Sequence, residues 1–257
     1  MNAPFAVISD IHANLAAFKA VLAVIEAQDV TEIVCLGDVV GYGAEPRECL
    51  ALAQERCTRL LMGNHDAGVL RPPAGFNPHA YQALVWTRRE LRRGWLFSAP
   101  VRRGLKMLKR ARLSLVEGDF MFVHGSPRDP VNEYVEAADT VGWELGPNPK
   151  LQDIFSRFSR YCFVGHTHVP GVIAADYRFY PPAAFDQRWP LDGRKAIINV
   201  GSVGQPRDND PNASMVVVHE DYVQFYRVPY AVEATVNKIQ VVSALHNSLA
   251  ERLREGR

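Results

Sequence analysis

Short apolar runs recur along this chain, and the same few polar residues stop them. Residues 5–9 end at Asp10, 32–36 at Gly37-Asp38, and 59–62 at Gly63-Asn64-His65-Asp66. Further on, 119–123 end at His124-Gly125, 161–164 at Gly165-His166-Thr167-His168, and 196–200 at Gly201-Ser202. Residues 215–218 and 223–228 read as a hairpin around His219-Glu220-Asp221. Continuous apolar runs of this length suit strands buried on both faces. Such strands need cover, and helical patterns lie between them. Asn14 caps a predicted helix over 15–28, with Leu15, Phe18, Leu22 and Ile25 on one face. Pro46 opens a helix to Arg56, and Asn77-Pro78 opens one through about Leu91, with Tyr81, Leu84, Val85, Leu91 and Trp95 on its apolar face. Ser98-Ala99-Pro100 opens a short basic helix, 151–158 forms another, and 234–254 reads as one long amphipathic C-terminal helix. The order β-α-β-α-β, then helices, then more strands, predicts an α/β core with insertions.

With 257 residues, 47% of them hydrophobic and 22% charged, the chain has ample apolar material for a core, which excludes a disordered chain. A net charge of +1 argues against coating nucleic acid by bulk charge. The average hides an asymmetry: residues 88–112 hold ten basic residues and one acidic residue, Glu90. Cys35, Cys49, Cys57 and Cys162 show no CxxC spacing, and reduced core thiols are the expectation. The start, MNAPFAVISD, has no basic region and no long apolar stretch, and Lys19 and Glu26 break the most apolar helix. A soluble cytoplasmic protein is expected.

The strand-stopping residues carry the chemistry. They are Asp10, His12, Asp38, Asn64, His65, His124, His166 and His168, and five of the eight histidines stand just after a strand. Carboxylate, imidazole and amide oxygen together suit divalent first-row metals. In an open α/β sheet, sites form beyond the carboxyl ends of the strands, so these segments would converge. Any one of them alone would read as a turn residue or a helix cap. Five such segments in order make a shared site the better reading.

Asp10-Ile11-His12, Gly37-Asp38, Gly63-Asn64-His65-Asp66, His124 and Gly165-His166-Thr167-His168 resemble the five signature segments of the calcineurin-like metallophosphoesterases. Asn199–Gln205 (NVGSVGQ) resembles the segment that follows in bacterial members. The resemblance implies a single domain over 1–257: a four-layer αββα sandwich of two mixed β-sheets flanked by helices. It also implies a basic helical insertion at about 70–116 and a C-terminal helix at about 232–254. It implies two divalent metal ions, manganese first, with iron, zinc, nickel or cobalt also compatible. One metal would take Asp10, His12 and His168, the other Asn64, His124 and His166, and Asp38 would bridge them. A hydroxide shared by the two ions would be the nucleophile. His65 would protonate the leaving oxygen, with Asp66 fixing its tautomer. The alternative for Asp66 is a cap on the following helix.

Departures narrow the subgroup. Protein Ser/Thr phosphatases and symmetrical dinucleoside tetraphosphatases carry an Arg shortly after the bridging Asp, whereas here the segment is Asp38-Val-Val-Gly-Tyr-Gly43. The residue after His65 is Asp66 rather than Glu. Both differences point to the small bacterial phosphodiesterase-like members. The function expected is hydrolysis of a small phosphodiester, with nucleotides among the candidates. The alternatives are a phosphomonoesterase, an asymmetric dinucleoside polyphosphate hydrolase, a nuclease subunit, and a non-catalytic protein-binding scaffold. Arg207 is a candidate phosphate contact, with a solvated loop arginine as its alternative. Tyr42, Asn132 and Tyr134 are candidates for the pocket wall, with plain loop packing as theirs. The basic 88–112 stretch is either an electropositive wall beside the metals or, the favoured reading, a solvated face balanced by Glu133, Glu136 and Asp139.

Overall fold

A computed structural model describes residues 3–93, 99–142, 146 and 148–257. Two six-stranded mixed sheets pack face to face. Among the strands of the first are β1 (Phe5–Ile8), β2 (Ile33–Cys35) and β3 (Arg59–Leu60), which are parallel. Beside β1 run antiparallel β11 (Ala213–Val218), β12 (Tyr222–Val228) and β9 (Arg188–Pro190), giving the order β3-β2-β1-β11-β12-β9. The second sheet has the order β4-β5-β6-β10-β7-β8. Its members are β4 (Ser114–Glu117), β5 (Phe120–Val123), β6 (Tyr161–Val164), β7 (Gly171–Ala174), β8 (Phe179–Tyr180) and β10 (Ala196–Asn199). In it β5, β6 and β10 run parallel.

The two-residue period of a strand assigns each side chain to a layer. Phe5, Val7, Val34, Leu36, Phe163 and Ile198 fill the space between the sheets. Ala6, Ile8, Ile33 and Cys35 face the helices outside the first sheet, α1 (Leu15–Ala27) and α2 (Pro46–Arg56). Cys162, Val164 and Ile197 face α6 (Pro149–Ser156) outside the second. Continuous apolar runs are thus buried on both faces, and the αββα sandwich expected from the resemblance is present. Asn14 accepts from the Ala17 amide at 3.2 Å, and Asn77 from the Ala80 amide at 3.0 Å at the start of α4 (Pro78–Arg92). Both caps stand where the sequence placed them.

Three expectations change. The C-terminal helix is two helices, α7 (Val232–Gln240) and α8 (Ser248–Glu255), which pack together and against α4 through Val236, Ile239, Leu249 and Leu253. The break follows from local chemistry: the β-branched pair Val241-Val242 leads into a turn, and His246 Nδ1 accepts the amide of Ser248 at 3.2 Å. The basic insertion ends before 116, because β4 belongs to the second sheet. Its second helix is α5 (Ala99–Arg110). Ser98, expected to open it, and Trp95, expected on the apolar face of α4, lie outside the described residues. Finally, Glu133 and Asp139 do not balance the basic stretch. Glu133 pairs with Arg128 at 3.2 Å and Asp139 with Lys150 at 2.6 Å.

Candidate metal centre

The parallel strands of both sheets end at one edge, and their trailing loops meet there. Asp10 and His12 follow β1, and Asp38 follows β2. Asn64 and His65 open α3 (Asn64–Leu70) after β3. His124 follows β5, and His166 and His168 follow β6. Every ligand predicted from the sequence is brought into one cluster. His12 Nε2 lies 3.1 Å from His168 Nε2 and 3.5 Å from Asp10 Oδ1, which is 3.1 Å from His168 Nε2. His124 Nε2 lies 3.2 Å from Asn64 Oδ1 and 3.1 Å from His166 Nδ1. Asp38 Oδ2 sits between the two groups, 3.7 Å from His12 Nε2 and 3.5 Å from His124 Nε2. That is the position of a bridging carboxylate.

The residues fit divalent cations on their own geometry. His12 Nδ1 faces the carbonyl of Val40 at 3.3 Å, and His168 Nδ1 faces that of Gln205 at 2.6 Å. Both Nδ1 atoms therefore carry the proton, and both Nε2 atoms turn lone pairs toward each other. His166 is held the other way round: its Nε2 faces the Asn132 carbonyl at 3.1 Å, which frees Nδ1. Asp10 Oδ1 is fully buried with no hydrogen-bond partner. Lone pairs gathered in a dry site without donors are costly unless a cation sits among them.

Burial also sets the protonation states. It lowers His12 and His166 and pushes His124 and His168 down to about 3, so the ligand imidazoles are neutral. Burial, with the charges of Asp10 and Asp66 beside it, pushes Asp38 well above the usual range. Two buried carboxylates side by side are unfavourable as anions unless positive charge sits between them.

The backbone is strained at the same place. Asp10, His12, Asp38, His166 and His168 all have φ between 47° and 66°, as does Tyr42 at 58°. Left-handed backbone costs roughly 1–2 kcal/mol for such residues and clusters where side chains must be aimed. Gly63 is required by close approach: a Cβ there would overlap the Asp38 carboxylate.

His65 borders the cluster. Its amide donates to Asp38 Oδ1 at 2.8 Å, and its ring packs on those of His12 at 4.8 Å, Tyr42 at 4.4 Å and Phe76 at 5.0 Å. Burial and the neighbouring His12 hold its pKa well below the ordinary value. The expectation that Asp66 orients His65 is not met. Asp66 accepts from the amides of Val39 at 3.1 Å, Val40 at 3.3 Å and Gly63 at 3.4 Å, while His65 Nδ1 is buried without a partner. Asp66 instead ties the start of α3 to the loop after β2, the capping alternative.

An open cleft of about 470 Å³ gives access to the cluster, lined by Tyr42, Asn64, His65, Phe76, Tyr134 and His166 among others. Tyr134 stacks on the His166 ring at 3.9 Å. Tyr42, Asn132 and Tyr134 are thus wall residues. Arg207 lies 5.9 Å from the Tyr42 ring centre. No residue of the described part of 88–112 lines this cleft. Sequence reasoning missed Phe76, whose neighbours do not distinguish it from a loop residue, and gave no role to Gln205 at the end of the NVGSVGQ segment, whose carbonyl faces His168 only in the folded chain.

Comparison with known proteins agrees with this geometry. The profile of the calcineurin-like phosphoesterase superfamily domain matches residues 4–222. An uncharacterized protein of Methanocaldococcus jannaschii, MJ0912, is 34% identical over 261 residues, covering 98% of each chain. The crystal structure of a metallophosphoesterase from Sphaerobacter thermophilus superposes with a TM-score of 0.81 at 34% identity, covering 100% of both chains. A hypothetical protein of Pyrococcus horikoshii, PH1004, shares the fold at a TM-score of 0.74 and 19% identity, covering 99% of this chain and 98% of that one.

Proposed function

The chain belongs to the calcineurin-like phosphoesterase superfamily, and on that premise we propose a phosphodiesterase that uses two divalent cations, manganese first. That it is a phosphoester hydrolase follows from the family. One observation supports the fuller reading: seven ligand atoms and the ring of His65 meet in a single buried cluster beside an open cleft. Asp10, His12 and His168 would hold one cation, Asn64, His124 and His166 the other, and Asp38 both. The cations would neutralise phosphoryl charge and activate water.

The chain's own groups do the rest. The Val40, Gln205 and Asn132 carbonyls fix which imidazole nitrogen faces the site. Phe76 and Tyr42 clamp His65, and its neutral ring takes up a proton when a phosphate anion lies beside it. From there the proton passes to the leaving oxygen. Arg207 is the candidate contact to substrate phosphate from the loop after β10. The aromatic walls Tyr42, Phe76 and Tyr134 suit the organic arms of a diester. The complete ligand set counts against a non-catalytic scaffold. The four free cysteines support a reducing compartment, the cytoplasm. No helix among the described residues is long and apolar enough to cross a membrane.

The test is a substrate panel with manganese. An aryl phosphodiester should turn over faster than the aryl phosphomonoester or a dinucleoside tetraphosphate. Preference for either of the latter would replace the diester reading. No turnover on any phosphoester would overturn it.

A further inference from the structure

We infer that Arg207 and Arg252 form a second anion subsite beside the metal centre, which takes a second phosphoryl group on the same substrate. This rests on the phosphoesterase reading and adds the substrate class. Gln205, 1% exposed, joins the subsite to the metals. Its backbone carbonyl accepts from the ligand His168 at 2.6 Å. Its side-chain oxygen accepts from Arg207 at 3.0 Å and from Arg252 at 3.4 Å. One neutral amide oxygen therefore holds two guanidinium groups together.

Their charge is not met by the protein. Among the described residues, neither arginine has an ion pair. Of the acids nearby in sequence, Asp208 and Asp210 pair with Arg227 and Glu255 with Arg257, while Glu251 is exposed and in no ion pair with either arginine. Arg207 Nε is buried without a hydrogen-bond partner. Both residues are partly buried, and burial together with the Arg207 charge lowers Arg252 from its ordinary value. Two like charges kept together out of water are unfavourable by themselves. An anion that accepts from both forks offsets that cost, and phosphoryl oxygens match guanidinium geometry.

The location fixes what the anion belongs to. Arg207 lies 5.9 Å from the centre of the Tyr42 ring, which in turn packs on His12 at 4.7 Å and on His65 at 4.4 Å. The subsite is one aromatic ring away from the reacting group. A substrate with one phosphoryl group at the metals reaches the arginines with a second, as a phosphodiester that carries a further phosphate does. A simple aryl diester leaves the pair unmatched.

Calorimetry on the manganese-loaded protein tests this with two non-hydrolysable probes, methylphosphonate and methylenediphosphonate, at one free metal concentration. Arg252→Ala should weaken methylenediphosphonate at least tenfold and methylphosphonate less than threefold. Arg252→Lys, which keeps the charge and loses the fork, should show a smaller loss confined to the same probe. It also decides the matter if the alanine variant does not fold. Equal losses for both probes, or none for methylenediphosphonate, would overturn the subsite. Because the readout is binding, a protein that separates the probes but turns over no phosphoester would keep the subsite and lose the proposed function.

Discussion

Two basic regions of this molecule are built on opposite principles. The basic stretch of the α4–α5 insertion holds ten of the chain's 29 basic residues against one acidic residue, yet its positions are ordinary ones. Arg88 donates to the Arg71 carbonyl at 2.7 Å, and Arg103 to Gln54 at 3.3 Å. Glu90 lies 3.8 Å from Arg47. Val101, Gly104 and Leu108 bury one face of α5, with Gly104 against Leu50 of α2, and leave the charged face to solvent. Lys109 lines a groove of about 630 Å³ that touches the metal cleft only through Asn132. The Arg207–Arg252 pair has two charges, partial burial and, among the described residues, no acidic partner. Charge along a solvated helix face serves solubility, whereas paired charge left unmatched beside the cluster is what the proposed subsite rests on.

The largest expected effect separates the cluster from the insertion through two glycines. Gly63→Ala drives a methyl into the Asp38 carboxylate. It should remove bound metal and lower turnover by at least about 1,000-fold, consistent with loss of a positioned site. Gly104→Ala drives a methyl into Leu50. It should cost about 1–3 kcal/mol of stability and leave kcat unchanged. Thermal unfolding, metal analysis and kinetics on both variants check this. A stable, active Gly63→Ala protein would break the comparison.

Next comes His65. Replacing it with alanine should lower kcat by about 100- to 10,000-fold while metal content stays at the wild-type level. Loss of metal would make His65 a ligand instead.

The apoprotein gives a third test. His124 and His168 have folded values of about 3 because burial disfavours their charged forms, against about 6.5 in the unfolded chain. The unfolded chain therefore binds more protons in that window. Stability should fall as pH drops from 6.5 toward 3, by up to about 1.4 kcal/mol per pH unit for each imidazole. His124→Asn should flatten that slope, and denaturant titrations across pH measure it. The smallest effect belongs to the insertion: Lys109→Gln and Arg92→Gln should change kcat/KM less than about twofold for a small diester and stability by less than about 0.5 kcal/mol. A larger loss of turnover would restore the insertion as a catalytic wall.

Much of this was legible in the sequence, for physical reasons. Residues that meet beyond the strands of such a sheet must stand at strand ends, so residue type and spacing pointed to all seven members of the cluster. Buried strands announce themselves by apolar content, and Asn14 and Asn77 by their capping chemistry. What stayed hidden depended on tertiary neighbours. Strands β8 and β9 have only two or three residues, half-buried or exposed, so no period forms. Asp66 has the right type for orienting an imidazole, but three amides claim its oxygens. Arg252 lies on a helix rich in charged residues, and only the packing of α8 brings it to Gln205. The left-handed backbone at Asp10, His12, Asp38, His166 and His168 is not readable either, since Asp and His are enriched there several-fold yet most of them stand elsewhere.

In the proposed reaction seven residues bind two cations while His65 serves the substrate. Metal content and turnover of an aryl phosphodiester, measured together on manganese-reconstituted wild type and His65→Ala, test it most directly. The account predicts two metal ions per chain in both proteins, with turnover in the wild type alone. One ion or none in the wild type, or full turnover in His65→Ala, would contradict it.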